Sequence, residues 1–203
     1  MKKILSLCIL VASIFAIAVS LEAKTTKRGK TKSKQTARNS SSSNLNGHEA
    51  VDLGLSVKWA KCNLGATSPF ERGEFFTWST QGDVARSRWG GGWRTPTLDE
   101  VKELYRYCKW EWKKCTYSDD GYRYCQEGYL VTGPSGRSIF LGANGRQYDS
   151  RKINLTDCGF YWTSNYTMER GSAKPLVLSF ESHRIYFPSY DNIYRMGIRP
   201  VIK

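Results

Sequence analysis

The hydrophobic pattern changes period along the chain. Val51-Asp52-Leu53-Gly54-Leu55-Ser56-Val57-Lys58-Trp59-Ala60 alternates apolar and polar residues at period two, which predicts a half-buried strand or hairpin. Gly73 to Trp78 predicts a second short strand. Thr97-Leu98-Asp99-Glu100 has the form of a capping box, with Thr97 as N-cap and Glu100 at the third helical position. Leu98, Val101, Leu104, Tyr105 and Cys108 then recur at three- and four-residue spacing, one apolar face of a helix. Asp99, Glu100 and Glu103 sit in its first turns, where the helix dipole favours anions, so these carboxylates need no catalytic role. Beyond it, period two returns. Trp110 and Trp112 alternate with Glu111. Gly128–Thr132 and Ser138–Leu141 flank the turn Gly133-Pro134-Ser135-Gly136. Gly142 to Asp157 reads as irregular and polar. Gly159–Ser164, Leu176–Phe180, Ile185–Phe187 and Gly197–Val201 read as further strands. Strands, one or two helices, then many strands predict an α+β fold with mostly antiparallel sheet.

The first 47 residues do not follow this pattern. Met1-Lys2-Lys3 precedes an uncharged apolar run from Ile4 to Leu21, the layout of a secretory signal peptide over residues 1–23, cleaved near Ser20 or Ala23. An uncleaved anchor and a lipoprotein acylated at Cys8 are the competing readings; Cys8 lies inside the apolar run, with too little apolar sequence before it. Residues 24–47 contain almost no large apolar side chain and are expected to form a disordered tether. Of the formal net charge of +13, seven positive charges belong to Lys24, Lys27, Arg28, Lys30, Lys32, Lys34 and Arg38. This arm is either a solvated spacer or an electrostatic contact for anionic surfaces and polymers. It resists translocation, because positive charge does. It has no interleaved aromatics, so no specific nucleic-acid readout is expected. Residues 48–203 remain as one domain, only mildly basic.

Five cysteines follow the leader: Cys62, Cys108, Cys115, Cys125 and Cys158. In an exported protein this number permits two disulfides and one spare thiol. Cys115 and Cys125 bracket the turn Ser118-Asp119-Asp120-Gly121 and are expected to staple a hairpin; Cys62 with Cys108 is the second expected pair. The spacings offer no zinc site. Gly90-Gly91-Gly92 is not followed by the Lys-Ser or Lys-Thr of a nucleotide loop, and no cofactor is implied. His48 and His183 are the two histidines, and neither completes a triad or a metal-binding pair.

Taken together, several segments resemble one family. They are Val51 to Ala66 (with Trp59-Ala60, Cys62-Asn63 and Gly65-Ala66), Gly73-Glu74-x-Phe76-x-Trp78 and Trp89-Gly90-Gly91-x-Trp93-Arg94-x-Pro96-Thr97. Val131-Thr132-Gly133-Pro134, Ser138–Leu141, Gly159-x-Tyr161-Trp162-x-Ser164 and Gly197-x-Arg199-Pro200-Val201 continue the set. The chain from about Val51 to Ile202 resembles the Fibrobacter succinogenes major paralogous domain, found in exported proteins of Bacteroidetes. That resemblance implies a C-type-lectin-like fold, with N- and C-terminal strands paired and a loop-rich binding face. The insertion carrying Cys115 to Cys125 departs from the pattern. Trp59, Trp78, Trp93 and Trp162 are read as core.

The function expected is non-catalytic binding outside the cytoplasm, in the periplasm, at the outer-membrane surface or extracellularly. The protein would be an adhesin or a subunit of a surface assembly, with a protein or a glycan as partner. No transmembrane segment is expected after leader cleavage. The Glu-Pro-Asn, Gln-Pro-Asp and Trp-Asn-Asp triplets of calcium-dependent lectins are missing, so no metal is implied. Candidate ligand-binding residues are Tyr166, Arg170, Tyr190, Asp191, Asn192, Tyr194 and Arg195. Formylglycine-generating enzymes share a related fold. They prompt one catalytic alternative, a Cys158–His183 dyad.

Overall fold

The computed structural model describes residues 43–114 and 126–203. The leader, the basic arm Lys24 to Arg38, Cys115 and Cys125 lie outside the described residues. Strands β1 (Ser43–Leu45) and β2 (His48–Val51) form a hairpin about Asn46-Gly47, whose φ angles are 52° and 82°. Asn-Gly is the dipeptide that supplies two successive positive φ values in a two-residue turn. Ser43–Leu45, inside the stretch expected to be tether, is thus a strand. Trp93 Nε1 donates to the Leu45 carbonyl (2.9 Å) and ties this hairpin to the core.

The next segment, β3 (Lys58–Ala60), pairs with β2. The run from Val51, expected to be a strand or hairpin, is two antiparallel strand ends joined by a loop, whose Leu53 and Val57 are buried. Of the expected strand at Gly73–Trp78, only β4 (Phe76–Thr77) forms. Helix α1 (Val84–Trp89) was not legible as a helix. Asp83 caps it by accepting from the amides of Ala85 (2.9 Å) and Arg86 (3.1 Å), and Gly90 at φ 60° ends it. Helix α2 (Leu98–Tyr107) forms where expected. Thr97 Oγ1 accepts from the Glu100 amide (3.2 Å), Glu100 Oε2 accepts from the Thr97 amide (2.8 Å), and Cys108 is the C-cap.

β5 (Lys109–Lys113), β6 (Gly128–Thr132) and β7 (Ser138–Gly142) make an antiparallel three-stranded sheet. Then β8 (Arg146–Tyr148) and β9 (Arg151–Ile153) form a hairpin in the polar stretch that read as irregular. Its turn residue Asp149 takes φ 52°, a conformation Asp tolerates. A long hairpin of β10 (Gly159–Glu169) and β11 (Ser172–Glu181) turns over Arg170-Gly171, with a register shift between Trp162 and Tyr166. β12 (Arg184–Tyr186), β13 (Tyr194–Met196) and β14 (Val201–Ile202) complete the chain.

The described strands lie in antiparallel sheets ordered β1-β2-β3-β14, β4-β13-β8-β9, β5-β6-β7 and β10-β11-β12. The C-terminal segment joins them. β13 pairs with β4 and β8, Gly197 bridges to Tyr161 on β10, and β14 pairs with β3 beside the N-terminal hairpin. The class is α+β, mostly antiparallel strands with short helices, as expected.

Buried apolar side chains collect in two clusters among the described residues. One surrounds Leu53, Trp59, Val101, Leu104, Tyr161 and Phe180; the other surrounds Trp89, Trp93, Trp162, Met196 and Ile198. Arg199 is also buried, at 1% exposure. Its guanidinium donates to Asn63 Oδ1 (2.8 Å) and to the carbonyls of Ala60 (3.2 Å), Lys61 (3.0 Å) and Phe140 (2.7 Å). A buried charge needs such an array of acceptors to replace water. It locks the C-terminal segment to β3 and β7.

The expected Cys62–Cys108 disulfide is not formed. Cys62, Cys108 and Cys158 are free thiols. Cys62 lies just past β3, close enough to Lys61, Glu49 and Arg199 to feel their charge, whereas Cys108 ends α2 and packs on the Leu53–Phe180 cluster. Among the described residues, no helix is long and apolar enough to cross a membrane.

Candidate functional site

Three segments converge at one end of the second cluster: the loop after β4, the start of α1 and the β10–β11 hairpin. Between them lies a groove of two adjoining cavities that share Trp78, Ser79 and Thr80. The first, about 310 Å³, has Trp162, Ile198, Val84 and Tyr166 among its walls. The second, about 400 Å³, is polar, with Gln81, Ser172, Lys174, Asp191 and Asn192.

Trp78 stands at the junction and is only half-buried. The reading of all four signature tryptophans as core holds for Trp59, Trp93 and Trp162, at 1% exposure or less. It holds in part for Trp78, which packs against the second cluster but is left half-buried, because β4 is only two residues long and the chain leaves the sheet just before the indole. The ring is nevertheless fixed. Its Nε1 donates to the Thr163 carbonyl (3.0 Å), and Tyr166 meets it edge-on, centroids 5.4 Å apart at 60°. Trp162 behind it donates from Nε1 to the Phe76 carbonyl (2.7 Å). An aromatic wall held by its own hydrogen bonds is preorganised for a ligand.

The expected ligand-binding residues divide. Tyr166, Asp191 and Asn192 line the groove. Lys174 forms a close ion pair with Asp191, side chains 25% and 52% exposed. Lys174 was not foreseen, since a lone lysine within a strand carries no signal of its own. Tyr190 and Tyr194 turn away. With Phe160 they enclose the Arg146 guanidinium, 4.8, 4.5 and 4.9 Å from the three ring centroids. These cation–π contacts anchor both ends of the loop that presents Asp191 and Asn192. Arg195 donates from Nε to Thr77 Oγ1 (3.3 Å) at the rim, and Arg170 sits in the hairpin turn at φ 50°.

Asp83, which also lines the first cavity, is fully engaged. Oδ1 accepts from the Ala85 and Arg86 amides and from Thr95 Oγ1 (3.0 Å), and Oδ2 accepts from the Thr95 amide (2.8 Å). Its capping role holds the wall in place.

The cysteines offer no activated nucleophile among the described residues. Burial pushes the Cys158 thiol up, and Glu181 and Asp157 add to the rise. His183, the expected dyad partner, is exposed beyond β11, and it is not among the charges that shift Cys158. A separate crevice of about 450 Å³ holds Cys62 and His48, with His48 stacked on Trp89 at 3.7 Å. Burial raises this thiol and lowers the imidazole. That leaves a protonated thiol and a neutral ring, the reverse of a thiolate–imidazolium pair. No cluster of His, Cys, Asp and Glu suited to a metal ion occurs among the described residues.

Compared with protein-family models, curated proteins and solved structures, the chain matches none of them.

Proposed function

We propose that this chain is an exported, non-catalytic binding module of C-type-lectin-like architecture. We place it in the Fibrobacter succinogenes major paralogous domain family, with the groove around Trp78 as its ligand site. It would act as an adhesin or as a subunit of an outer-membrane or surface assembly. The observation that carries the reading is the pairing of a fixed aromatic corner, Trp78 with Tyr166, and a polar compartment holding Lys174, Asp191 and Asn192. Sugars present an apolar C–H face and a rim of hydroxyls, and a site of this composition meets both. The architecture is supported by β14 pairing with β3 beside the N-terminal hairpin, and the export by the leader-like residues 1–23.

A protein partner is the second reading. Met168 (61% exposed) and Ile193 (56% exposed) present apolar surface two residues past Tyr166 and one past Asn192. A glycan array probed with the purified protein, with Trp78→Ala and with Tyr166→Ala separates the two. Glycan binding lost in both variants supports the sugar site. Glycan binding unchanged in both removes the groove as the site.

A further inference from the structure

The charge pattern of the polar compartment selects among ligands, and this inference rests on the groove being a sugar site. Three charged side chains line the two cavities: Asp83, Lys174 and Asp191. Asp83 is committed to α1 and Thr95. Lys174 Nζ is already matched by Asp191 Oδ1. Arg195 is held at the rim on Thr77 and is not part of the lining. The lining therefore offers no uncompensated positive charge. It offers an ammonium donor and a carboxylate acceptor side by side, flanked by the Asn192 and Gln81 amides.

We propose that the groove binds a neutral oligosaccharide of at least two units. One ring packs against Trp78 and Tyr166, and the vicinal hydroxyls of the next span Lys174, Asp191 and Asn192. A hydroxyl both donates and accepts, so a vicinal diol satisfies an ammonium and a carboxylate together. A uronate also fits Lys174, but its carboxylate is brought against Asp191, where like charges repel. The pair is partly exposed, so a ligand can bond to it without separating it. Two units are expected because Tyr166 and the ion pair line different compartments, which meet at Trp78.

The test is titration calorimetry of the purified protein, of Asp191→Asn and of Lys174→Met. The ligands are cellotriose, maltotriose, mannotriose and N,N′,N″-triacetylchitotriose, with trigalacturonate as the anionic probe. At least one neutral trisaccharide binds, more tightly than trigalacturonate. Asp191→Asn weakens that binding by about tenfold or more, the expected loss of a hydrogen bond to a charged group. Unchanged thermal unfolding of this variant shows that the loss is local. Preferential binding of trigalacturonate, with affinity rising in Asp191→Asn, overturns the neutral ligand while leaving the sugar site in place. If none of the five saccharides binds at millimolar concentration, the sugar reading itself fails.

Discussion

Trp78 and Thr163 are joined by one hydrogen bond, indole Nε1 to carbonyl oxygen, that crosses from the loop after β4 to β10. The neighbouring pair repeats it in the opposite direction, with Trp162 on β10 donating to Phe76 on β4. Two indoles thus stitch two elements that share no ladder, and the wall of the groove is a product of that stitching. Trp162→Phe keeps most of the buried ring but leaves the Phe76 carbonyl without this donor. The expected cost is about 1–3 kcal/mol, read as a lower urea midpoint with an unchanged slope. If the groove is the sugar site proposed above, the loosened wall lowers saccharide affinity as well.

Arg199 is held by four acceptors from β3, the loop after it and β7. Arg199→Met leaves these acceptors buried and unpaired, and the expected loss is at least about 3 kcal/mol. Arg199→Lys is also destabilising, since an ammonium has three donors without the guanidinium's planar spread. Chemical denaturation of both variants checks this; a Lys variant as stable as the parent rejects the geometric argument.

Glu100 links the capping box to Arg94. Burial alone raises its carboxyl, but hydrogen bonds from Arg94 and from the Thr97 amide, together with Arg94's charge, outweigh that and hold it below the usual carboxylate value. A carboxyl lowered on folding stabilises the protein above its unfolded value. That contribution is lost as pH falls through the folded value. Stability should therefore drop on acidification below the ordinary 4.5, and less steeply in Glu100→Gln. Thermal melts between pH 7 and pH 3 read the difference.

The thiols supply a kinetic test. Burial, with Glu103, pushes Cys108 up to about 11, and burial raises Cys62 and Cys158 as well. At pH 7.5 the native protein should alkylate slowly at all three, as mapped by mass spectrometry, with rates climbing towards pH 10. Fast labelling of Cys158 at neutral pH would revive a catalytic reading.

Gly159 opens β10 directly under Phe180. A Cβ there would lie 2.1 Å from Phe180 Cζ, in the centre of the Leu53–Phe180 cluster. Gly159→Ala should cost about 1–3 kcal/mol through overpacking, measured by urea unfolding.

The amphipathic helix α2 with its capping box, the strands around Trp110, Tyr129 and Ile139, and the α+β class were all legible in the sequence. These features depend on residues within one turn or one hairpin of each other. Local signals also existed for the Asn46-Gly47 hairpin, but it was hidden at the end of a polar run. Helix α1 was hidden because its six residues, with only Ala85 and Trp89 buried, are too few to show a helical period. The groove was only half legible. Tyr166, Asp191 and Asn192 could be chosen by residue type and loop position. Which of the tyrosines would face a ligand and which would close on Arg146 depended on where β8 lies beside β13. Lys174 meets Asp191 only because the chain after β12 runs back along β11, with Tyr190 N–H on the Pro175 carbonyl. Likewise nothing local sets Trp78 apart from Trp59, Trp93 and Trp162, and only the early end of β4 leaves it half-buried. The sequence by itself determined the local periods, the cap and the inventory of polar and aromatic groups. The tertiary structure decided which of them meet, because those meetings join residues far apart in the chain, such as Lys174 with Asp191, 17 positions apart, and Phe76 with Trp162, 86 apart.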